Sequence, residues 1–260
     1  MKATAMLACA LLSIACAGVE AKVVTKEITY QQDGKTLKGY LAWDDAKKGA
    51  HPGVLVIHEW WGLNDYTKMR TRQLAEMGYV AFAADMFGDG ANTSDPKQAQ
   101  AWYNEVTGAK GLMASRSQAG LDVLKKQPGV DAKHLAAIGF CFGGSTVLQL
   151  AYSGAPLEAA VTFHGGLMAP TPEQAKAIKA RMLLLHGEED TFVKPEDIEA
   201  TKKALDAGKV DWYMVTYAHA VHAFSNPKAD DYKIPGIGYN EKAATRSWEE
   251  MQQFFKENLK

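Results

Sequence analysis

Short runs of apolar residues alternate along the chain with longer segments in which apolar residues recur every three or four positions. The run at residues 54–57 contains no polar side chain, which is typical of a strand buried on both faces of a sheet. Residues 241–258 instead place Ala244, Trp248 and Phe255 on one face of a helix. The same pattern predicts strands at 23–30, 37–41, 54–57, 79–84, 135–140, 159–163, 182–185 and 212–217, and helices after Asn64 and at 97–107, 112–127, 145–152, 172–180, 195–207 and 241–258.

The predicted elements alternate between strand and helix over most of the chain. The first two strands are separated by Asp33-Gly34, a turn signal for a hairpin. The later alternation implies right-handed βαβ units, and hence an α/β protein with a mostly parallel central sheet and helices on both faces. In such sheets ligands bind beyond the carboxyl ends of the strands. No repeat, low-complexity tract or linker interrupts the pattern, so residues 22–260 are predicted to form a single domain.

Residues 1–21 have the pattern of a secretory signal peptide. Lys2 provides the positive start, residues 5–17 are apolar, and small residues suitable for cleavage follow, ending at Ala17 or Ala21. The apolar segment is shorter than the roughly 20 residues that a membrane-spanning helix needs. We therefore expect an exported protein, periplasmic or secreted, without a membrane span.

Export would change the cysteine content of the protein. Cys9 and Cys16 would leave with the signal peptide, so the mature chain would keep Cys141 alone, without a partner for an intramolecular disulfide. Lipoprotein processing at Cys16 is the less favoured alternative, because Ser13 stands where leucine is usual.

Composition and charge restrict the class of partner. Hydrophobic residues make up 47% and charged residues 23% of the 260 positions, as in a globular chain with a sizeable core. The formal net charge of −1 gives no sign of a nucleic-acid or membrane-surface partner. We expect a monomer that acts on a small molecule.

The stretch Gly139-Phe140-Cys141-Phe142-Gly143-Gly144 lies between a predicted strand and a predicted helix. A nucleophile flanked by glycines in this context is typical of a nucleophile elbow, a sharp turn that exposes the nucleophile and requires small neighbours. The nucleophile position holds Cys141, where most such sequences have serine. The alternative for a lone cysteine is a buried free thiol at the end of a strand.

A thiol attacks as thiolate, so it needs a base, and the base needs an orienting group. In α/β-hydrolases the nucleophile, the acid and the histidine follow in this order along the chain. Asp190, after the strand at 182–185, is the favoured acid, because the residues after it lead into the next helix, with Glu188 and Glu189 as rivals. His222, after the last strand, is favoured as the base over His219, which lies closer to that strand.

The loop that begins at His58 follows an earlier strand, where this architecture supplies one N–H of an oxyanion hole. The donors would be the backbone amides of Trp60 and Phe142. Glu59 is either a solvated loop charge or a carboxylate that disfavours the Cys141 thiolate and so gates its activation. Trp60 and Trp61 are either packing residues or residues that stack on substrate.

A metal site is the alternative use of the histidines at predicted strand ends, His58, His164 and His186. No close pair of ligands such as H-x-x-x-H supports it. We expect no metal and no cofactor.

These motifs resemble the dienelactone hydrolase family, or carboxymethylenebutenolidases, a branch of the α/β-hydrolases with a Cys-His-Asp triad. The similarity extends from about residue 23 to the C-terminal helix, and its strongest parts are His58-Glu-Trp-Trp-Gly-Leu63, Gly139-Phe-Cys-Phe-Gly-Gly144, Gly187-Glu-Glu-Asp190 and His222-Ala-Phe224. The resemblance implies an α/β-hydrolase fold, Cys141 as nucleophile, His222 as base, Asp190 as its orienting acid, Glu59 as the residue that holds the resting thiol, and Trp60 and Phe142 as oxyanion donors. Trp61 and Phe224 are assigned to the substrate pocket.

Two positions differ from what the resemblance implies. Family members that bind dienelactone clamp the substrate carboxylate with arginines, one of which stands where this chain has Asn226. Another stands in the loop after the fourth strand, where Phe87-Gly-Asp-Gly90 contains none. Asparagine does not replace a bidentate arginine contact, so the substrate is not expected to transfer with the chemistry.

The function predicted from the sequence is hydrolysis of an ester or lactone through an acyl-thioester on Cys141. Two alternatives from other classes remain: a non-catalytic exported relative on the same fold, and a thiol redox protein based on Cys141. The intact acid and histidine loops disfavour the first alternative, and the absence of a C-x-x-C motif or a resolving cysteine disfavours the second.

Overall fold

The computed structural model describes residues 23–259. The predicted signal peptide, including Cys9 and Cys16, lies outside these residues. The described strands are β1 Val23–Gln32, β2 Lys35–Asp44, β3 His51–Ile57, β4 Val80–Ala84, β5 Val130–Phe140, β6 Ala159–Phe163, β7 Arg181–Gly187 and β8 Trp212–Tyr217. The helices are α1 Asp65–Glu76, α2 Pro96–Gly108, α3 Leu112–Lys125, α4 Phe142–Tyr152, α5 Pro172–Ala177, α6 Pro195–Ala207 and α7 Glu241–Asn258, with a short 3₁₀-helix at Ala229–Tyr232.

The strands form one eight-stranded sheet in the order β1-β2-β4-β3-β5-β6-β7-β8. β1 and β2 form the predicted antiparallel hairpin, and β2 pairs antiparallel with β4. Every pair from β4 to β8 is parallel. The predicted α/β class with a mostly parallel sheet is therefore confirmed, and the carboxyl ends of β3 and β5 to β8 share one edge of the sheet.

Apolar side chains of the central strands alternate between two cores, one on each face of the sheet. In β3, Leu55 and Ile57 pack into the core that is covered by α3 and α4, whereas Val54 and Val56 pack into the core that is covered by α1 and α7. This double burial explains why β3 is apolar at successive positions. Helices therefore cover both faces, as predicted.

Most element boundaries lie within a few residues of the predicted ones, and β5 shows the largest difference. It begins at Val130, five residues before the predicted start at Leu135. The pairing with β3 jumps from Pro52↔Asp131 to Gly53↔Leu135, so a polar bulge interrupts the strand. No helix among residues 23–259 has the length and apolar character that crossing a bilayer would require.

Candidate active site

Cys141 occupies a strained turn between β5 and α4. Its backbone has φ 54° and ψ −120°, a conformation that a residue with a side chain adopts only where the surroundings impose it. A Cβ at Gly139 would collide with the backbone of Gly143, and a Cβ at Gly143 would collide with the carbonyl oxygen of Ile57. The flanking glycines are therefore required by the close approach of strand and helix, as the elbow motif predicts.

His222 and Asp190 form a buried pair at the neighbouring strand ends. The Nδ1 atom of His222 lies 2.8 Å from Oδ2 of Asp190, and both side chains are almost completely shielded from solvent. Oδ1 of Asp190 accepts the backbone N–H of Phe192 at 2.9 Å. Because both carboxylate oxygens are bonded, the orientation of the carboxylate, and with it that of the imidazole, is fixed.

Burial and nearby charges act in opposite directions on the pKa of His222. Burial lowers this pKa, because it disfavours the imidazolium ion. The interaction with Cys141 and the hydrogen bond to Asp190 raise it by more, so the pKa of His222 lies well above its usual value. The surroundings of His222 thus stabilise the form that results when the imidazole takes a proton from the thiol.

The rival residues for the acid and the base lie outside this arrangement. Glu188 and Glu189 are exposed, and His219 is exposed as well. Nδ1 of His219 lies 3.0 Å from Oε1 of Glu189, so these two residues pair with each other at the surface. Of the candidates, the structure brings together only Asp190 and His222 beside Cys141.

The predicted oxyanion donors are the backbone amides of Trp60 and Phe142, two residues that line the cavity at Cys141. Phe142 is the first residue of α4, where N–H groups have no intrahelical acceptor. Within residues 23–259 neither of these two amides donates a hydrogen bond. Trp60, Phe142 and Cys141 line the same cavity, so two uncommitted donors accompany the thiol.

Glu59 is buried and is hydrogen-bonded to Asn226, which occupies a position where the family resemblance implies arginine. Nδ2 of Asn226 donates to Oε2 of Glu59 at 2.7 Å, and each residue is about 1% exposed. Burial raises the pKa of Glu59 from 4.5 to about 7, although the bond from Asn226 and the charges of His222 and Arg70 act in the opposite direction. Glu59 is therefore not a solvated loop charge.

A series of hydrogen bonds that the sequence analysis did not predict contacts the backbone of the nucleophile elbow. The N–H of Cys141 donates to Nδ1 of His164 at 3.1 Å, and Nε2 of His164 lies 2.7 Å from Oγ of Ser225. Oγ of Ser225 is in turn 2.8 Å from the hydroxyl of Tyr66. Burial, followed by the charge of His222, lowers the pKa of His164 well below its usual value, so His164 is a neutral acceptor for the Cys141 amide.

His58 also has a structural environment of its own. Its Nδ1 donates to the carbonyl oxygen of Glu59 at 2.5 Å, and its Nε2 accepts the N–H of Met86 at 3.1 Å. In the described part of the chain no group of three or more His, Cys, Asp or Glu side chains is arranged to hold a metal ion.

A cavity of about 290 Å³ opens at Cys141 and His222. Most of its wall is apolar or aromatic and is formed by Trp60, Tyr103, Phe142, Phe192, Val193 and Ile237. Phe192 is 55% exposed at the mouth, and its ring lies 5.0 Å from that of His222. The cavity can hold a small organic molecule against the thiol.

Two residues that the sequence analysis assigned to the pocket are not among those that line the cavity. Trp61 is 2% exposed and stacks on Tyr232, with 4.0 Å between the ring centroids. Phe224 is fully buried and packs edge-on against His164 at 5.1 Å. Both are packing residues outside the cavity wall. Phe192 and Val193 form part of that wall, and the sequence analysis did not select them.

The strand order, the elbow after β5 and the acid and histidine loops after β7 and β8 define an α/β-hydrolase fold. The model of the dienelactone hydrolase family matches residues 37–259. The chain belongs to the dienelactone hydrolase family, whose members are hydrolases that act on ester or lactone bonds.

Known proteins similar to this chain agree with that assignment. A solved dienelactone hydrolase-like promiscuous phosphotriesterase from metagenomic libraries is 40% identical, with a TM-score of 0.90 over 93% of this chain and 100% of its own. A structure named m3DLH is 42% identical, with a TM-score of 0.89 over 92% of this chain and 99% of its own. The "Putative carboxymethylenebutenolidase" of Aquifex aeolicus is 30% identical over 90% of this chain and 98% of its own.

Proposed function

We propose that this member of the family hydrolyses an ester or lactone through an acyl-thioester on Cys141. His222 acts as the general base and acid, and Asp190 orients its imidazole. The observation that carries the proposal is the buried His222–Asp190 pair beside a thiol in a strained elbow at the base of a cavity. This arrangement supplies a nucleophile, a base and an orienting group within one site.

The first half-reaction forms the thioester. His222 takes the thiol proton, and the thiolate sulfur bonds to the substrate carbonyl carbon, whose π-electron pair moves to the oxygen. The amides of Trp60 and Phe142 donate to that oxyanion. The electron pair then re-forms the carbonyl, the bond to the leaving oxygen breaks, and His222 gives its proton to the departing alkoxide. In a lactone the leaving hydroxyl remains attached to the acyl group.

The second half-reaction restores the enzyme. His222 takes a proton from water, the hydroxide attacks the thioester carbonyl, and the same two amides donate to the oxyanion. Collapse of this intermediate breaks the C–S bond, releases the carboxylic acid, and returns a proton to the sulfur through His222. The acyl carbon keeps the same oxidation level in the ester, the thioester and the acid, so these steps need no oxidant or reductant.

Glu59 controls the ionisation of Cys141 in this proposal. A charged carboxylate near the sulfur opposes the thiolate, whereas a neutral one does not. Glu59 is buried close enough to His222, the proposed base, for the charge of His222 to lower its pKa, and this placement supports the assignment. The rate of iodoacetamide alkylation of Cys141 between pH 5 and 9 tests it: Glu59→Gln should shift the profile to lower pH, and an unchanged profile would contradict this role.

The proposed location is outside the cytoplasm, in the periplasm or the medium, because of the signal-like residues 1–21. Expression of the full chain with fractionation of the cells tests this location. Recovery of a shortened chain in the exported fraction would support it, and recovery of the uncut chain in the cytoplasm would contradict it.

The primary test compares wild type with Cys141→Ala on p-nitrophenyl acetate, a panel of small lactones and one phosphotriester, the last because of the activity in the name of the 40% identical relative. The variant should lose at least about three orders of magnitude in turnover, because nucleophile and base act as a unit. Mass spectrometry of the quenched wild-type reaction should detect one acetyl group on Cys141. Full turnover by Cys141→Ala, with both proteins folded by circular dichroism, would refute the mechanism. A sulfenate on Cys141 without hydrolysis would favour the redox alternative.

A further inference from the structure

The wall of the catalytic cavity carries no fixed charge apart from the reacting groups themselves. None of the residues that line the cavity is Lys, Arg, Asp or Glu. The reacting groups at its base are Cys141 and His222, and His222 is paired with the buried carboxylate of Asp190. An anionic substrate would therefore meet no Lys or Arg in the wall, and the histidine at the base is already paired with a carboxylate.

Besides the reacting groups, four residues of the wall carry polar side-chain atoms, Trp60, Gln100, Tyr103 and Ser145, and none of them is a cation. Gln100 and Ser145 have partners within the protein. Ser145 donates from Oγ to the carbonyl oxygen of Gly166 at 2.9 Å. Gln100 donates from Nε2 to Oδ1 of Asn104 at 2.8 Å, and it lies at the exposed mouth. A carboxylate that entered the cavity would lose its hydration and would gain only neutral donors in return, such as the Tyr103 hydroxyl, and no cation.

The buried arginines of residues 23–259 are committed elsewhere. Arg70 donates from Nη2 to the carbonyl oxygen of Ser225 at 2.9 Å, and its guanidinium lies 4.5 Å from the ring centroid of Trp248. Arg116 donates from Nη1 to the carbonyl oxygen of Met86 at 2.7 Å. Neither side chain lines the cavity.

The two positions where the family resemblance implies arginine do not supply a cation either. Asn226 directs its amide to Glu59 and is not part of the cavity wall. Phe87 packs face to face on Phe142, with 5.4 Å between the ring centroids, and so adds to the apolar support behind the wall.

We infer that this site takes uncharged esters with apolar or aromatic substituents, and that it excludes esters that carry a carboxylate on either the acyl or the leaving-group side. The inference rests on the proposed function and specifies its substrate class. The exposed Phe192 at the mouth and the rings of Trp60 and Phe142 would contact such substituents. The small cavity volume restricts these substrates to small esters.

Matched substrate pairs test the inference. On the acyl side, the p-nitrophenyl monoester of adipic acid is compared with the same ester in which a carboxamide replaces the free carboxylate. On the leaving-group side, 3-carboxyphenyl acetate is compared with 3-carbamoylphenyl acetate. After subtraction of the uncatalysed rate at pH 8, kcat/KM should be about 100-fold lower for the charged member of each pair, since an unpaired ion is costly to bury. A difference below about tenfold in either pair would overturn the inference.

Substitution at the mouth tests the physical cause. Gln100→Arg should reduce the ratio of kcat/KM between the uncharged and the charged ester of each pair about tenfold, because it brings a cation to the rim of the cavity. Gln100→Met, of similar length and uncharged, should leave the difference unchanged. Equal effects of the two substitutions would mean that the missing cation is not what excludes the carboxylate, and would overturn the inference.

A binding measurement separates failure of this inference from failure of the proposed function. Folded Cys141→Ala is titrated with the same four esters, and quenching of tryptophan fluorescence reports occupancy next to Trp60. If wild type hydrolyses none of the esters, the proposed function fails, but tighter binding of the uncharged members would still support the inference. Equal binding of charged and uncharged members would refute it, whatever the outcome of the turnover assays.

Discussion

Replacement of Glu59 by glutamine should stabilise this protein above neutral pH. Glu59 is about 1% exposed, and its pKa rises from 4.5 to about 7 on folding, chiefly because burial disfavours the charged form. That rise corresponds to about 3 kcal/mol of folding free energy, given that one pKa unit is worth about 1.4 kcal/mol. Glutamine has the same shape, can accept the hydrogen bond from Asn226, and cannot ionise.

The sign of the pH dependence follows from the direction of the shift. Because the folded protein holds the Glu59 proton more tightly than the unfolded chain, the stabilising contribution of neutral Glu59 is complete below pH 4.5 and is lost as the pH rises through about 7. The free energy of unfolding of Glu59→Gln should therefore equal that of wild type near pH 4.5 and exceed it by about 3 kcal/mol at pH 8.

Urea unfolding followed by tryptophan fluorescence at several pH values between 4.5 and 8 measures this difference. Glu188→Gln provides the matched control, since Glu188 is exposed and its replacement should change stability by less than about 0.5 kcal/mol at every pH. The reasoning is refuted if Glu59→Gln is less stable than wild type at pH 8, or if the two differ by the same amount across the range.

Two further predictions concern the elbow. Gly143→Ala should destabilise the protein by about 2 kcal/mol and lower the rate of ester hydrolysis about 100-fold. The new Cβ would overlap carbonyl oxygens at the end of β3 and displace the turn. Gly108→Ala is the control and should keep full activity, because Gly108 has open space around it. Ser225→Ala should cost about 1–3 kcal/mol in urea unfolding, because it leaves Nε2–H of buried His164 without its acceptor, whereas exposed Ser115→Ala should change stability by less than about 0.5 kcal/mol.

The fold could be predicted wherever a local pattern and a tertiary requirement coincide. α6, α7 and β8 have the predicted boundaries. Pro195 begins α6 and Gly208 follows it, and Asn240 caps α7 through its side chain. Asn64 caps α1 as predicted, with Oδ1 accepting the N–H of Thr67 at 3.2 Å. β5 was predicted too short because Asp131 and its polar neighbours conceal a strand that only its pairing with β3 reveals.

The candidate site was predictable where residues follow strand ends, and not where it depends on long-range contacts. Cys141, Asp190 and His222 stand in recognisable loops. The bond between Asn226 and Glu59 joins residues 167 positions apart, and no local pattern indicates it. The role of His164 was equally hidden: a histidine at a strand end was a weak signal, and its acceptor function depends on the backbone direction at the neighbouring strand.

The strand order also determines when the proposed catalytic groups can meet during synthesis of the chain. Asp190 follows β7 and His222 follows β8, and β8 is added last at the edge of the sheet. His222 lies 81 residues after Cys141 (222 minus 141), so roughly 4–16 s separate the two on the ribosome at about 5–20 residues per second. A nascent or truncated chain that ends before β8 also lacks His222. Under the proposed mechanism it would have the nucleophile without its base and would not hydrolyse an ester.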